Sequence, residues 1–586
     1  MNNSSHSTPS GRRKSAATPE PTAEPSPEPS PQPEPPVTEP DLDPGAVEPT
    51  PSSPDAAPTH GATPGERVLE GVGIDPSGAT VSTVAASRWF AALPAGTTVV
   101  VRGGDVIALD ATLRIDRRID IRGGGELRFV GGIAGAPALK LITDGTTVSG
   151  VRITYTGGAA STSGERNVGI DIHASDVVID GVTIDGFQNG IIIRPSGEYG
   201  GVVVTNCHVL GVTGAGGGTG SDSSAGEDRG DGVTIWGARA TIVGNIIAAA
   251  PGADARIGIH AEGLPDYASD PGPWADAMIT ISGNVVTGPF RRGVALEGVS
   301  HAVVSANTVS DATWWGIGVF DTRSVAIIGN TVRWTRTAAE TPGSAWKPSR
   351  CPIMVYRDAQ AITVEANLIE IRGDAAAAIM LFSAPPIGST AQVGATDAVI
   401  SDNVVRLAAG TCPIGIAMDR AIRPIVSGNR LTVSLAAGVV GGVLSYLCVD
   451  AMVSGNSVSG AATTSGYGVH HQGASSIVVT GNRIDRIRVG VAVINCTEGA
   501  TIVANTARGC EYGLDTYGTT GRSVVEANRW ESTGTAHANA QPNTSYLSTR
   551  HMGLARPFGG ASGDLLVGNG RLWVNDQGTW RSAALT

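Results

Sequence analysis

The chain of 586 residues carries 80 glycines, 35 prolines, 4% aromatics, 16% charged residues and a formal net charge of −12. That negative balance, with no basic stripe, argues against a nucleic-acid partner. No apolar run is long enough to cross a bilayer, and a 3.6-residue helical periodicity is nearly missing.

Residues 1–65 hold 17 of the 35 prolines, in runs such as EPSPEPSPQPEPPVTEP (24–40), with almost no large apolar side chain. Such a segment cannot bury enough surface to offset its ordering entropy, so a disordered Pro-rich linker is expected. Arg12, Arg13 and Lys14 are followed by SAATPEPT, which has no apolar core, and no Sec signal peptide is visible. Residues 66–105 read as a cap: STVAASRWFAALPAGTTVVV (82–101) predicts a short helix with Ser82 at its N-cap, a turn and a strand.

From 106 to 535 one short phrase returns, as in VAIIGNTV (325–332), TVEANLI and IVSGNRL. Its asparagine falls at Asn206, Asn245, Asn284, Asn307, Asn330, Asn367, Asn403, Asn429, Asn456, Asn482, Asn505 and Asn528, with a basal step of 23 that swells but never shrinks. One structural unit per repeat, with insertions at tolerant places, follows. Within the unit the phrase predicts strand, sharp bend, strand, with Gly and Asn supplying positive φ. Upstream sits a second phrase, as in DGVTIW (231–236), RGVALE (292–297) and YGVHHQ (467–472), so each coil carries three strands. Three strands in so few residues bury only one face each, and stacking must supply the core. Coils ~4.8 Å apart would align the asparagines into a ladder of amide hydrogen bonds.

These repeats resemble the right-handed parallel β-helix of the pectate-lyase superfamily over roughly residues 75–535. The resemblance implies an all-β fold with an asparagine ladder between the second and third strands of each coil, and a helix covering the first coil. It also implies that polysaccharide is bound or cleaved along one face. The C-terminal module, 536–586, contains Asn569-Gly570 between alternating runs, a hairpin signal. It resembles terminal segments of phage tail and tailspike-like proteins, which commonly trimerise.

Cys351-Pro-Ile and Cys412-Pro-Ile each read as the start of a first strand, two coils apart, and Cys448 and Cys496 are separated in the same way. Two steps amount to ~9.6 Å, beyond the reach of a disulfide, so no disulfide framework is expected.

In the upstream phrase Ile259, Val294, Ile317, Ile353, Ile379, Ile414 and Val469 should point inward. Trp236, His260, Glu262, Glu297, Phe320, Tyr356, Phe382, Tyr446, His470, Asp515 and Tyr517 should point outward, while His471 points in as a core histidine. Insertions at 211–231, 263–276, 335–350 and 383–397 would wall a groove on that face. Flat rings and scattered carboxylates suit sugar faces and hydroxyls; alternatively, the rings brace the insertion loops. Trp236, His260, Phe320, Tyr356, Arg357, Phe382 and Tyr446 are the candidate substrate-binding residues.

Glu262, Glu297 and Asp321 are the candidate catalytic carboxylates. The two glutamates occupy matching positions on adjacent coils, ~5 Å apart, near the separation of retaining glycosidases. Crowding would raise one of their pKa values, as a general acid requires; solvated carboxylates or a cation site are the alternatives. The polygalacturonase-like run of Asn-Thr-Asp, paired Asp and Gly-His-Gly and the pectate-lyase phrase Arg-x-Pro-x-x-Arg are both missing. Arg357-Asp358 and Asp419-Arg420 read as lyase or hydrolase groups, or as groove salt bridges.

His260 and His470 have no second ligand nearby in sequence, so no metal is expected there. Asp222, Glu227, Asp228 and Asp231 offer a calcium candidate in an acidic loop whose spacing fits no EF-hand. GAGGGTGS (214–221) lacks the ending of a phosphate-binding loop, and Arg229-Gly230-Asp231 enters a strand.

The sequence therefore points to an extracellular, polysaccharide-recognising β-helix, expected to be a tailspike-like depolymerase, with a glycoside hydrolase favoured over a lyase. It would be a homotrimer on a virion tail, attached through its N-terminal arm. The alternative is a non-catalytic receptor-binding or adhesive tail protein.

Overall fold

The computed structural model describes residues 65–131, 133, 136–157, 167–194, 200–214, 230–263, 275–337, 350–385, 390–433 and 441–531, and the backbone of strands between 535 and 584. The Pro-rich segment 1–64 lies outside the described residues, as do Asp222, Glu227 and Asp228 of the acidic loop. No helix among the described residues is long and apolar enough to cross a membrane.

The chain winds as a right-handed parallel β-helix. Second strands such as Val299–Ser305, Arg323–Ile328 and Thr363–Glu365 pair in parallel along one sheet. First strands such as Phe290–Glu297, Trp315–Phe320 and Cys351–Tyr356 stack in another line. That line joins the third-strand line through long strands such as Ile246–Glu262, which pairs with a third strand at one end and a first strand at the other. The interior is a continuous aliphatic stack in which Ile259, Val294, Ile317, Ile353 and Ile379 are fully buried.

The asparagine ladder runs from Asn245 to Asn528. At a typical rung, Asn367 Nδ2 donates to Ile327 O at 2.9 Å and Asn403 Oδ1 at 2.9 Å, while its own Oδ1 accepts from Asn330 N at 2.9 Å and Nδ2 at 3.0 Å. Each side chain thus satisfies backbone groups that the bend strips of strand partners. The positive φ falls on the preceding residue, Gly244 (69°), Gly329 (64°), Ala366 (54°) or Asp402 (55°), and not on the ladder asparagine.

Asn206 is therefore a correction. It occupies the positive-φ slot (53°) and is exposed, and Cys207 stands at the ladder position, its N–H donating to Asn245 Oδ1 at 2.8 Å.

A second ladder is made of glycines at the entry to the first strands. A Cβ on Gly293 would lie 2.3 Å from Val309 Cγ1 and 2.5 Å from Gly316 O, so any side chain there would displace the next coil. This contact corrects the reading of Ile414. Gly415 takes the glycine position, so Ile416 stacks on Ile379 and Ile414 is only half-buried. All six cysteines are buried and unpaired.

Helix Thr83–Ala91 buries Ala86 and Phe90, but Ser82 makes no side-chain cap and its hydroxyl accepts from Asp75 N at 2.9 Å. Parallel pairing continues past 535, where strands Thr535–Ala538, Thr544–Leu547 and Thr549–Met552 add another coil. Leu565–Gly568 and Arg571–Asp576 form the hairpin, with Thr579–Ala584 as a third antiparallel strand. Asn569 and Gly570 themselves lie outside the described residues.

Replacing Asn367 by Ala orphans Asn330 N–H and Ile327 C=O, and should cost about 1–3 kcal/mol per buried group in chemical denaturation. Asn206→Gly, off the ladder and compatible with positive φ, should change stability by about 0.5 kcal/mol or less.

Candidate functional site on the outer face of the first-strand sheet

Strand pairing sets the outward residues in one row: Trp236, Glu262, Glu297, Phe320, Tyr356 and Phe382 are successive register partners, and Asp419, Tyr446, Gln472 and Ile494 continue the line. Two residues nearer the start of each strand runs a second row with Thr234, His260, Ala295, Gly318 and Met354. Both expected glutamates thus face outward side by side on adjacent coils.

Charge gathers in the first part of this face. Asp231, fully buried, receives Arg256 Nε at 2.9 Å and Nη2 at 2.6 Å, and Thr234 Oγ1 at 3.0 Å. His260, 1% exposed, has Nδ1 3.2 Å from Asp231 Oδ2 and 2.8 Å from Arg256 Nη2. Its Nε2 lies 3.6 Å from Glu297 Oε1 and 3.9 Å from Glu262 Oε2, and those two side chains are each 19% exposed. Arg292 Nη1 donates to Glu297 Oε1 at 2.5 Å, and its guanidinium lies 5.0 Å from the centres of the Trp315 and Phe320 rings. On the other side, Arg194 lies 4.8 Å from the Trp236 ring centre and donates from Nε to buried Asp171 at 3.0 Å.

Burial would push these carboxylates up, but the neighbouring cations outweigh it. Asp231 is brought down to about 2 by Arg256 and His260 against that burial. Glu297 is likewise lowered: burial raises it, and Arg292, His260 and Arg256 together more than reverse that. Crowding therefore does not raise Glu297, whose nearest charged neighbours are cations. His260 is shifted upward. Burial and Arg256 pull it down, but the Asp231 hydrogen bond and the charges of Glu297 and Asp231 prevail.

The other candidates separate into distinct environments. Asp321 is not grouped with the glutamates: it sits in the bend at φ 43°, bound by Arg357 through Nε at 2.8 Å and through Nη2, and accepts Asp358 N–H at 3.1 Å. Arg357 is thus in a salt bridge, the alternative reading of Arg357-Asp358, but its partner is Asp321 and not Asp358. Asp419 is held in the same manner by Arg420 and the Ser383 hydroxyl.

Phe320 and Tyr356 face outward but are only 6% and 8% exposed. They join Trp314, Trp315, Met354 and Met380 in a second apolar cluster outside the coil, with Phe382 packed against it. Phe320 meets Tyr356 edge-on at 5.4 Å, and Tyr356 stacks on Phe382 at 5.9 Å. The expectation of open platforms is corrected for Phe320, Tyr356 and His260, since alternation sets direction but not cover. Trp236 and Phe382 are half-buried, and Tyr446 and Tyr517 are 38% and 59% exposed.

His470 is also buried, beside the Tyr467 ring at 4.3 Å, and burial with the charge of His471 brings its pKa down to about 4. His471 is a satisfied core histidine, with Nδ1 3.1 Å from Ser445 Oγ and Nε2 3.0 Å from Ser475 O. Asp231 and Arg256, which hold the centre of the cluster, were not legible as such in the sequence.

A profile for the family described as "Periplasmic copper-binding protein (NosD)" matches residues 390–546. No curated protein matches. Among solved structures, the chain is similar to a tailspike protein variant of E. coli bacteriophage HK620 in complex with a pentasaccharide, at 12% identity over 81% of this chain and 78% of that one, TM-score 0.47. It is also similar to DFA-IIIase from Arthrobacter chlorophenolicus without its lid, at 14% identity over 56% and 84%, TM-score 0.39. A third likeness is to the Streptococcus pneumoniae surface protein and adhesin PfbA, at 12% over 67% and 97%, TM-score 0.41. Each ligand or activity belongs to the protein that bears it.

The donors described within 390–546 do not fit a copper centre. Cys412, Cys448, Cys496 and Cys510 lie near backbone carbonyls, both nitrogens of His471 are engaged, and no group of three His, Cys, Asp or Glu converges among the described residues.

Tyr356→Ala should lower stability by about 3–5 kcal/mol, as for other large buried rings, whereas Tyr446→Ala on the same row should stay within about 0.5 kcal/mol in denaturant titration.

Proposed function

We propose that this outer row is a glycan-binding groove and that Glu262 and Glu297 cleave a cell-surface polysaccharide by hydrolysis. The observation that carries the proposal is the in-register pairing of two partly exposed glutamates on adjacent coils, with Trp236 on one side and the aromatic row on the other. Adjacent coils put the pair ~5 Å apart, the spacing of a retaining mechanism. Glu297, kept ionised by Arg292 and His260, suits attack on the anomeric carbon; Glu262 would protonate the leaving oxygen and then deprotonate water. Hydrolysis is favoured over elimination because the side chains that could act as a lyase base are committed elsewhere, Arg357 to Asp321 and His260 to a buried pair with Asp231.

Sugar faces would stack on Trp236, Phe382 and Tyr446, the row's partly open rings. The protein would act outside the cell as a trimeric tailspike-like component of a virion. Recognition without cleavage is the second reading. It is favoured by the buried aromatic cluster, which braces the face as a structural brace would, and by the missing hydrolase signatures.

Glu297→Gln should abolish release of reducing ends from a sensitive capsular or surface polysaccharide while leaving glycan binding nearly intact. Trp236→Ala should weaken binding by about 0.5–1.5 kcal/mol on a glycan array or by calorimetry. Binding without reducing ends or unsaturated products in the native protein would leave the recognition reading. No binding to any glycan would refute the groove.

A further inference from the structure

We propose that His260 is the positioning residue of the glutamate pair: Asp231 and Arg256 clamp its Nδ1 edge so that an Nε2–H is always aimed between Glu262 and Glu297, and the charge on the ring governs how that pair holds its proton. The inference rests on the reading above that these glutamates meet the glycan.

His260 cannot line the groove, because it is 1% exposed; whatever it does is transmitted through its neighbours. The shorter of its two Nδ1 contacts, that to Arg256, sets the tautomer. Arg256 Nη2, 2.8 Å from Nδ1, can only donate, and Asp231 Oδ2, 3.2 Å away, can only accept. The neutral ring takes the Arg256 hydrogen on Nδ1 and must carry its own hydrogen on Nε2. The charged ring turns Nδ1–H to Asp231 and still carries hydrogen on Nε2. The titrating proton thus sits on the shielded side, while the donor facing the glutamates persists.

That Nε2 is fully buried and has no hydrogen-bond partner among the described residues, with one carboxylate oxygen at 3.6 Å and another at 3.9 Å. A buried donor left open between two carboxylates is costly unless it has work to do. At these separations it acts by charge and can close on whichever oxygen the reaction leaves negative.

The groups facing the ring are Asp231 from one coil, Arg256 and Glu262 from its own strand, and Glu297 with Arg292 from the next. With one proton held by the glutamate pair, two carboxylate charges face the two guanidiniums, and a charged ring is favoured by its direct contact with Asp231 and by the nearby charge of Glu297. The sign follows: a raised imidazole pKa keeps the charge at and above the pH where an ordinary histidine loses it, and the charge disappears as pH rises through the raised value. Glu297 then keeps Arg292 but loses its second nearby cation, and its own pKa climbs.

The test is a histidine side-chain ¹H–¹⁵N NMR titration of the full chain, in the native form and as Glu297→Gln. We expect His260 to titrate above the usual value of about 6.5 with its Nε2 protonated in both states, and its midpoint to fall by about half a pH unit or more in Glu297→Gln. A midpoint at or below the ordinary one, an Nδ1–H neutral tautomer, or a midpoint indifferent to Glu297→Gln would overturn the proposal. No glycan enters this measurement, so it separates failure of the His260 proposal from failure of the glycan reading. On a polymer that the protein cleaves, His260→Gln should move the acidic limb of kcat/KM, where Glu297 must ionise, to higher pH. A uniform loss of rate with an unmoved limb would mark His260 as structural only and would also overturn the proposal.

Discussion

The coil-to-coil register is the constraint on which everything else in this protein depends, and the buried amide ladder holds it. A parallel sheet alone tolerates slippage wherever its faces look alike. Here a slip would break bonds at both ends of each asparagine side chain, such as those that Asn330 Nδ2 donates to Val304 O and Asn367 Oδ1 and that its Oδ1 accepts from Asn307, along the ladder. The glycine ladder opposes slippage for a second reason, because any side chain at Gly258 would run into Gly293 O and Val286. With register held, residues far apart in sequence become neighbours: Asp231, His260 and Glu297 meet although each belongs to a different coil.

Much of the fold was legible because the asparagine repeats with its bend. The misreadings came where another residue took a slot. Asn206 fills the positive-φ position that glycine, alanine or aspartate takes elsewhere, and the alternation around Cys207 and Val209 was the better guide. Ile414 was mistaken for Ile416 because a Cys-Pro-Ile phrase echoed Cys351, whereas the Gly-Ile pair at 415–416 carries the register.

The site was legible in outline only. Period-two alternation set Glu262, Glu297 and the rings on the outer face, but it carries no information about what covers them, so the burial of Phe320, Tyr356 and His260 had to come from the structure. Asp231 and Arg292 escaped because the glycine that follows each turns inward, shifting the alternation and leaving its predecessor facing out. The cluster thereby gains a buried acid and a guanidinium that strict alternation would have placed inside. The first part of the face is polar and ion-paired, and the part from Trp315 to Met380 is apolar and closed over. The half-open side chains Trp236, Glu262 and Glu297 fall at the boundary between them.

Oxidative footprinting with oligosaccharides from a sensitive surface polysaccharide, read by mass spectrometry, tests the central claim most directly. Protection is predicted at Trp236, Phe382 and Tyr446, with no change at Met452, which is exposed on the second-strand sheet. Protection at Met452 with the outer row unchanged would contradict the account.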